Sequence, residues 1–567
     1  MTNNAFTYVN EDRKKIVIIG GVAGGASCAT RARRLSEKAE IIIFERGHDI
    51  SFANCGLPYY ISDVIDDEDE LIIATPASFK DIFNIEVRTE SEVIDIDKER
   101  REIQVKDLRT TSTYRERYDA LILAPGATPI RPILPGIDLP GVFSLRTIPD
   151  SHAIRNWIEQ REAKSAVIVG GSFIGLEMAE NLTIRGLKVT VIEMQPQVMP
   201  NMDPEMTPAI QTHLSTHRVA LSLNNQITQF EQNKDSTLSV STKSGEIFTT
   251  DMVFLAIGVK PETILARNAG LEIGKHGGIR VNDQMRTSNE YIWALGDAAE
   301  VNDLITSEWT LVQLAGPANR QGRIAAGAIL GFDCRFRGVQ ATSACSIFGM
   351  TIATTGASEK TLKHLATIDK PINYEKIYLY PGHHAGFYPG AKPITFKLIF
   401  SPEDGRILGA QAIGMEGIDK RIDVIAAALQ NKATVFDLEE AELCYAPQLG
   451  AAKDPVNMAG MIAANILRGD APIAHWEDIN NTNALILDVR EPFEFTSGHI
   501  EGALNFPLEE IRTLMFELPH DREIWLYCKV GKQSYYATRI LRQNGFNARN
   551  LFGGLQTYNN MKRFIPV

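Results

Sequence analysis

The sequence predicts an α/β protein of several domains, and three observations carry that expectation. A pattern of buried strand, glycine turn and helix start occurs at Lys14–Ala26 and returns at Ser165–Glu177. A solitary cysteine, Cys55, follows the first pattern closely, in Ser51-Phe-Ala-Asn-Cys-Gly-Leu-Pro58. A second, Cys528, stands in a glycine-containing loop of a self-contained α/β module near the C-terminus. At 567 residues the chain is too long for one hydrophobic core, so several domains are required.

Taken in order, Lys14-Lys-Ile-Val-Ile-Ile-Gly-Gly-Val-Ala-Gly-Gly-Ala26 reads as a strand, a tight turn and a helix that continues through CATRARRLSEK. Ile41–Glu45 is the next buried strand, which completes a βαβ unit. The same grammar gives a strand from Ser165, a helix to Arg185 and a strand at Val189–Glu193. Two such units predict two Rossmann-like dinucleotide-binding domains. Leu121–Ala124 and Val253–Ala256 are apolar strands ending in turns, and Tyr291–Gly296 sets Asp297 just after a strand. From about 335 to 465 short strands alternate with helices and no nucleotide turn occurs, which reads as α+β. The pattern breaks near Ala471–Trp476. The expected domains are 1–150 with 280–335, 151–279, 336–465, a linker at 466–476, and an α/β module at 477–567.

In the first unit Gly20, Gly21, Gly24 and Gly25 permit close approach of backbone to a pyrophosphate, and the helix that follows offers free N–H groups. Val22 takes the place of the middle glycine of G-x-G-x-x-G, beside Ala23; Glu45 is spaced to accept from a ribose hydroxyl. The second unit keeps Gly170 and Gly175, has Ser172 in the middle position, and ends on Glu193. Because Cys55 follows the first unit, the redox cofactor is expected there; Gly296-Asp297 suits a flavin's sugar chain, so that site reads as FAD. Glu193 repels a 2′-phosphate and no arginine occurs in the following MQPQVMP, which favours NADH, with NADPH possible.

A flavin beside a single thiol suits reduction of a sulfur–sulfur or peroxide bond. Cys55 has no nearby partner in sequence, and Cys28 reads as a packing residue of the first helix. The second sulfur therefore comes from the substrate, or the thiol cycles through a sulfenic acid. Leu57-Pro58 suggests that Cys55 lies at a helix start, where the dipole lowers a thiol's pKa. Six scattered cysteines without Cys-x-x-Cys argue against zinc clusters and disulfide frameworks, and no metal site is expected. The net charge of −12 disfavours nucleic acid. No apolar run approaches the roughly 18 residues of a membrane helix. The stretch MTNNAFTYVNEDRKK lacks a signal peptide's apolar core, so a cytoplasmic location is expected. Asp66–Glu70 reads as a solvated acidic loop.

Residues 14–465 resemble the flavin disulfide reductase superfamily, in the branch of coenzyme A-disulfide reductases. The carriers are IGGVAGGAS, IFERG, SFANCGLPY, LAPGATP, VGGSFIGLE, ALGDAA and LCYAPQLGAAKDPVNMAG. NADH oxidases and peroxidases of that branch also carry SF-x-x-C. Residues 477–567 resemble a rhodanese domain through Leu487-Asp-Val-Arg-Glu-Pro492, Gly498-His-Ile-Glu-Gly-Ala503 and Tyr527-Cys-Lys-Val-Gly-Lys-Gln-Ser534. The fused arrangement resembles NADH-dependent coenzyme A-disulfide/persulfide reductases.

The resemblance implies FAD contacts at Arg46, Ser51, Asn54, Val93, Ala124, Pro125, Gly126 and Pro317, and nicotinamide-nucleotide contacts at Gly171, Phe173, Ile174 and Gly258. It implies a homodimer with residues 335–465 at the interface, in which Tyr445 reaches the partner subunit's Cys55. Coenzyme A, as substrate or bound ligand, would meet Arg34, Lys80, Asn319, Arg323 and Tyr388. In the family's H-A-x-Y-Y-P-G segment, Phe387 takes the first tyrosine position here and Tyr388 the second. Cys528 would carry sulfane sulfur; Gln533 stands where the family often has arginine, with Lys529 and Lys532 near it. The expected activity is NADH-driven reduction of a low-molecular-weight thiol persulfide, polysulfide or coenzyme A disulfide through Cys55, coupled to sulfur transfer at Cys528. Two alternatives stand beside it: an NADH oxidase or peroxidase cycling Cys55 through sulfenic acid, and a sulfur relay that consumes no NADH.

Overall fold

The computed structural model describes residues 13–562. Most of the N-terminal stretch considered for a signal peptide, and the outer ends of the first and last domains, lie outside the described residues. The described chain forms two compact units, one of residues 13–194 and 219–341, the other of 195–218 and 342–562.

The first unit holds both βαβ patterns. A five-stranded parallel sheet runs Ile292–Ala294, Ala120–Leu123, Lys15–Ile19, Glu40–Phe44 and Glu86–Arg88 in spatial order. Strands such as Ala120–Leu123 are buried along their whole length, because helices cover both faces and every position then needs an apolar side chain. The second parallel sheet runs Ala220–Ser222, Lys188–Ile192, Ser165–Val169, Met252–Leu255 and Val142–Phe143. Each is accompanied by a three-stranded antiparallel meander, Ser91–Arg117 for the first and Ile227–Thr250 for the second.

The second unit holds an antiparallel sheet in the order Ser343–Ile347, Met350–Gly356, Ile407–Gly414, Ile394–Phe400 and Glu375–Leu379. It also holds a five-stranded parallel sheet, Ile473–Ala474, Ala548–Leu551, Ile524–Tyr527, Leu485–Asp488 and Leu504–Asn505. The α/β class and the α+β character of the middle segment agree with the sequence.

Three details differ from the sequence reading. The stretch 466–476 is not a plain linker. The helix Pro455–Leu467 runs into it, and Ile473–Ala474 pairs with Asn550–Leu551 as the edge of the last sheet. A two-residue strand carries no periodicity to reveal it. Asp66–Glu70 is not wholly solvated: Glu68 pairs with His152 and accepts from the Tyr60 hydroxyl at 3.2 Å. Residues 195–218, expected within the second nucleotide domain, belong to the second unit.

The reason for the last difference is a buried charge cluster. Lys397, fully buried in a strand, donates to Asp203 at 2.7 Å, Glu205 at 2.5 Å and Glu359 at 2.9 Å. Gln411 donates to Asp203 at 2.8 Å and the Tyr378 hydroxyl to Glu205 at 2.7 Å, so the carboxylates are also hydrogen-bonded. The three acids offer oxygens within 4.8 Å of one another, and the Lys397 ammonium holds the centre that a cation would take. Lys376 extends the network from Glu359 to Glu477 in the last module, and Tyr380 meets Thr557 at 2.6 Å. Among the described residues no helix is long and apolar enough to cross a membrane.

Candidate functional site

At the first turn, Gly20 adopts φ +94°, and a Cβ there would lie 2.1 Å from the Ala124 carbonyl oxygen. A Cβ on Gly25 would lie 1.9 Å from the Gly20 oxygen, so only glycine lets strand, turn and helix close together. The helix Gly24–Leu35 begins after Ala23 without a side-chain cap, leaving its first N–H groups free for a ligand. Glu45 accepts from the Gly21 and Gly47 N–H groups, each at 3.0 Å, which aims its carboxylate at the turn; Arg46 beside it is exposed. Ala124, Pro125 and Gly126 follow the neighbouring strand at the same sheet edge, where ligands of such sheets bind.

Gly296 (φ +72°) is held by the Gln321 side chain at 2.7 Å. Asp297 lies 3.4 Å from Arg146; burial pushes its pKa up and the arginine pulls against that. Pro317 and Asn319 stand on the helix Ala315–Ile329, and Ser27 of the first helix donates to the Asn319 carbonyl at 3.1 Å. Val93 is buried in the core of its meander.

Cys55 is exposed, in the turn Asn54–Gly56 that leads into the helix Leu57–Ile61. Ser51, with φ +52°, fixes the preceding bend and accepts from the Ile73 N–H at 2.9 Å. The expectation of a lowered thiol pKa is overturned. The helix has five residues, too few for a useful dipole, and the Cys55 pKa is raised by the protein around the sulfur, then by Glu177 and Asp297, with Arg146 opposing. Cys28, by contrast, is fully buried and pushed up to about 12 by burial, as a packing residue should be. All six cysteines are free thiols.

The second turn repeats the first. Gly170 has φ +105°, a Cβ on Gly175 would lie 2.1 Å from the Gly170 oxygen, and Gly171 donates to Glu193 at 2.7 Å. Ser172 turns its hydroxyl to the Ala256 carbonyl at 3.3 Å, away from the free N–H groups of the helix Phe173–Ile184. Ile174 on that helix and Gly258 (φ +105°), beyond the adjacent strand, are exposed. Glu177, on the same helix, closes the VGGSFIGLE segment but is not among the expected site residues. Burial, then Glu180, pushes its pKa up to about 7.

Arg34, Lys80 and Arg323 are the expected cations, and the structure brings only two of them together, around a third arginine that the sequence does not single out. Arg31 lies close enough to Arg323 and Arg34 that, after burial, their charges are the chief causes lowering its pKa. Arg34 and Arg323 are exposed beside it, on the packed helices Gly24–Leu35 and Ala315–Ile329. Lys80 instead donates to Asn84 at the end of its own helix at 2.8 Å. In the second unit Tyr388, Phe387 and Tyr445 are exposed.

In the last module Cys528 is 1% exposed and directly follows the buried strand Ile524–Tyr527. The Gly531 N–H reaches its sulfur at 3.2 Å and the Ser534 hydroxyl at 3.4 Å. The Leu555 and Gln556 N–H groups hold the Cys528 and Lys529 carbonyls, fixing the loop from below. Lys529, Lys532 and Gln533 face solvent. Two donors thus converge on one sulfur.

Comparison with known proteins agrees with this geometry. Residues 14–322 match the pyridine nucleotide-disulphide oxidoreductase family, 342–454 that family's dimerisation domain, and 472–561 the rhodanese-like domain. The chain is 44% identical to the reduced CoADR-RHD of Bacillus anthracis, with TM-score 0.93 over 97% of this chain and 98% of that one. It is 34% identical to a NAD-dependent persulfide reductase from A. fulgidus, with TM-score 0.87 over 96% and 100%. A coenzyme A disulfide reductase of Staphylococcus aureus is 35% identical across 79% of this chain and 99% of its own. An NADH oxidase of Methanocaldococcus jannaschii is 36% identical across 78% and 97%.

Proposed function

The chain belongs to the pyridine nucleotide-disulphide oxidoreductase family, and from that premise we propose that it reduces persulfides, polysulfides or coenzyme A disulfide with NADH through Cys55. The observation that carries this reading is a single exposed thiol, with no second cysteine in its segment, in the domain that bears the first nucleotide turn. A one-cysteine centre needs its exchange partner from the substrate.

The close-packed glycines at Gly20, Gly25, Gly170 and Gly175, and the carboxylates of Glu45 and Glu193 bonded to the turns, fit two dinucleotides. We assign FAD to the first site and NADH to the second, where Glu193 disfavours a 2′-phosphate. Bound there, the flavin supplies the passage of an electron pair from nicotinamide to sulfur. Arg46, Ser51, Asn54, Val93, Ala124, Pro125, Gly126, Gly296, Asp297 and Pro317 line the first site; Gly171, Ser172, Phe173, Ile174 and Gly258 line the second.

Cys55 attacks as its thiolate, the form in which each reduction leaves it, although the surrounding protein raises the pKa of the resting thiol. Attack on the inner sulfur of a persulfide forms a Cys55–thiol mixed disulfide and expels hydrosulfide; two electrons and a proton then release the thiol and restore the thiolate. The net balance is one thiol and one hydrogen sulfide from one persulfide, one NADH and one proton. Arg31, Arg34 and Arg323 form a cationic patch suited to the phosphates of coenzyme A. In the proposed homodimer Tyr445 and Tyr388 complete the substrate pocket of the partner subunit. Cys528, its sulfur cradled by Gly531 and Ser534, holds sulfane sulfur as a persulfide and supplies it for reduction.

NADH consumption without oxygen tests the reading. Persulfide or coenzyme A disulfide should drive it, with thiol and sulfide formed in the stated balance. Turnover only with oxygen or peroxide supports instead the oxidase reading, which the similarity to an NADH oxidase brings forward.

A further inference from the structure

Two loops of the second unit carry the exposed tyrosines assigned above to the substrate pocket: His383–Gly390 with Tyr388, and Cys444–Gly450 with Tyr445. They meet through one backbone bond, from the Ala385 N–H to the Gly450 carbonyl at 2.8 Å. Beneath both lies the guanidinium of Arg421, 1% exposed, on the helix Ile418–Gln430. Its Nη2 donates to the His383 carbonyl at 2.7 Å and to Asp454 at 2.8 Å; its Nη1 donates to the Gly417 carbonyl at 2.8 Å. Asp454 in turn accepts from the Val456 N–H at 3.1 Å, capping the helix Pro455–Leu467 just beyond the Tyr445 loop.

The helix of Arg421 holds that loop a second time, since Lys420 donates to the Leu449 carbonyl at 3.1 Å. The Tyr388 loop is fixed likewise. The His383 ring accepts from the Lys392 N–H at 2.9 Å, and the His384 ring stands edge-on to Tyr388 with centroids 5.5 Å apart. A Cβ on Gly417 would lie 2.2 Å from Nη1, so the fork is closely packed against the start of its own helix. A planar, always-charged fork that bonds two carbonyls and a carboxylate at fixed angles is a template, which a lysine's point charge cannot reproduce.

We propose that Arg421, paired with Asp454, is a positioning residue that sets Tyr388 and Tyr445 relative to one another for the thiol substrate. This rests on the reading that the two tyrosines serve the substrate pocket. It assigns Arg421 no contact with substrate or cofactor.

The test compares Arg421→Met, Arg421→Lys and Asp454→Asn in the full-length flavoprotein, with coenzyme A disulfide as the probe and ferricyanide as an artificial electron acceptor that needs neither tyrosine. Arg421→Met should lower kcat/KM for coenzyme A disulfide roughly 10- to 100-fold, mostly through KM, as expected for misplaced contacts. Asp454→Asn, which keeps the shape of the pair, should give a smaller loss, and Arg421→Lys should recover little. NADH–ferricyanide turnover should stay within about twofold of wild type in all three. Unchanged KM for coenzyme A disulfide overturns the proposal, and so does an equal loss of both activities in all three variants, which marks a general role in folding. Tyr445→Phe separates the two levels. If it too leaves kinetics with coenzyme A disulfide unaltered, the pocket reading fails; if it alone raises KM, only the role of Arg421 fails.

Discussion

Replacing Lys397 by Met removes the ammonium from the centre of three buried carboxylates while keeping an unbranched chain of similar volume. In the intact protein burial alone would raise the pKa of Glu205 and of Glu359, yet Lys397, helped at Glu359 by Lys376, holds both below the usual carboxylate range. Such depressed groups contribute stability that is present above their unfolded pKa and is lost only at strongly acid pH. Without Lys397 the sign reverses. Three acids with oxygens within 4.8 Å of each other, almost fully buried, lose their central cation, and burial then pushes the pKa values of Glu205 and Glu359 up. Removing one partner of a buried pair costs about 3–5 kcal/mol. With a urea slope of about 1–3 kcal/mol per molar, the unfolding midpoint of this unit should fall by more than about 1 M at pH near 8. The loss should shrink as pH drops toward about 5, where the acids accept protons at little cost. Fluorescence of Trp476 and Trp525, both in the same unit, follows the transition. A shift below about 0.3 M, or a greater loss at about pH 5 than at about pH 8, would refute the reasoning.

Two further outcomes follow from the sites. Glu177, with its pKa pushed up to about 7 in the fold against the ordinary glutamate value of 4.5, costs stability that grows as pH rises between those values; Glu177→Gln should stabilise the chain by up to about 3 kcal/mol near pH 8 and by almost nothing near pH 4, read by thermal unfolding at the two pH values. Ser534→Ala removes one donor to the Cys528 sulfur and should slow sulfur transfer from a persulfide to cyanide about tenfold while leaving NADH–ferricyanide turnover unchanged.

The parts of this molecule that are legible in the sequence are those whose function sits in consecutive residues. Gly20 to Gly25 and Gly170 to Gly175 announce their turns because the closure distances tolerate no side chain, and Cys55 and Cys528 stand out because nothing of their kind surrounds them. Glu45 and Glu193 are marked by spacing, and both carboxylates bond to the turns they are spaced from. What stays hidden depends on segments distant in sequence. Arg31 reads as one more helix arginine until the helix Ala315–Ile329 brings Arg323 beside it. Lys397 interrupts the apolar run ITFKLIF as an outward-facing residue would, because its acids lie as far away as Asp203. The acidity of Cys55 misleads for a related reason: Pro58 signals a helix start, and no local feature says that the helix stops at Ile61 or that Glu177 and Asp297 face the thiol.

The central claim is that one sulfur, at Cys55, exchanges with a sulfur of the substrate. Sulfide released per NADH oxidised, measured without oxygen on a thiol persulfide for the wild type and for Cys55→Ser, tests it most directly. The account expects a ratio near one for the wild type and no persulfide-dependent oxidation for the variant, with NADH–ferricyanide turnover retained. Sulfide release by Cys55→Ser at the wild-type rate would contradict it.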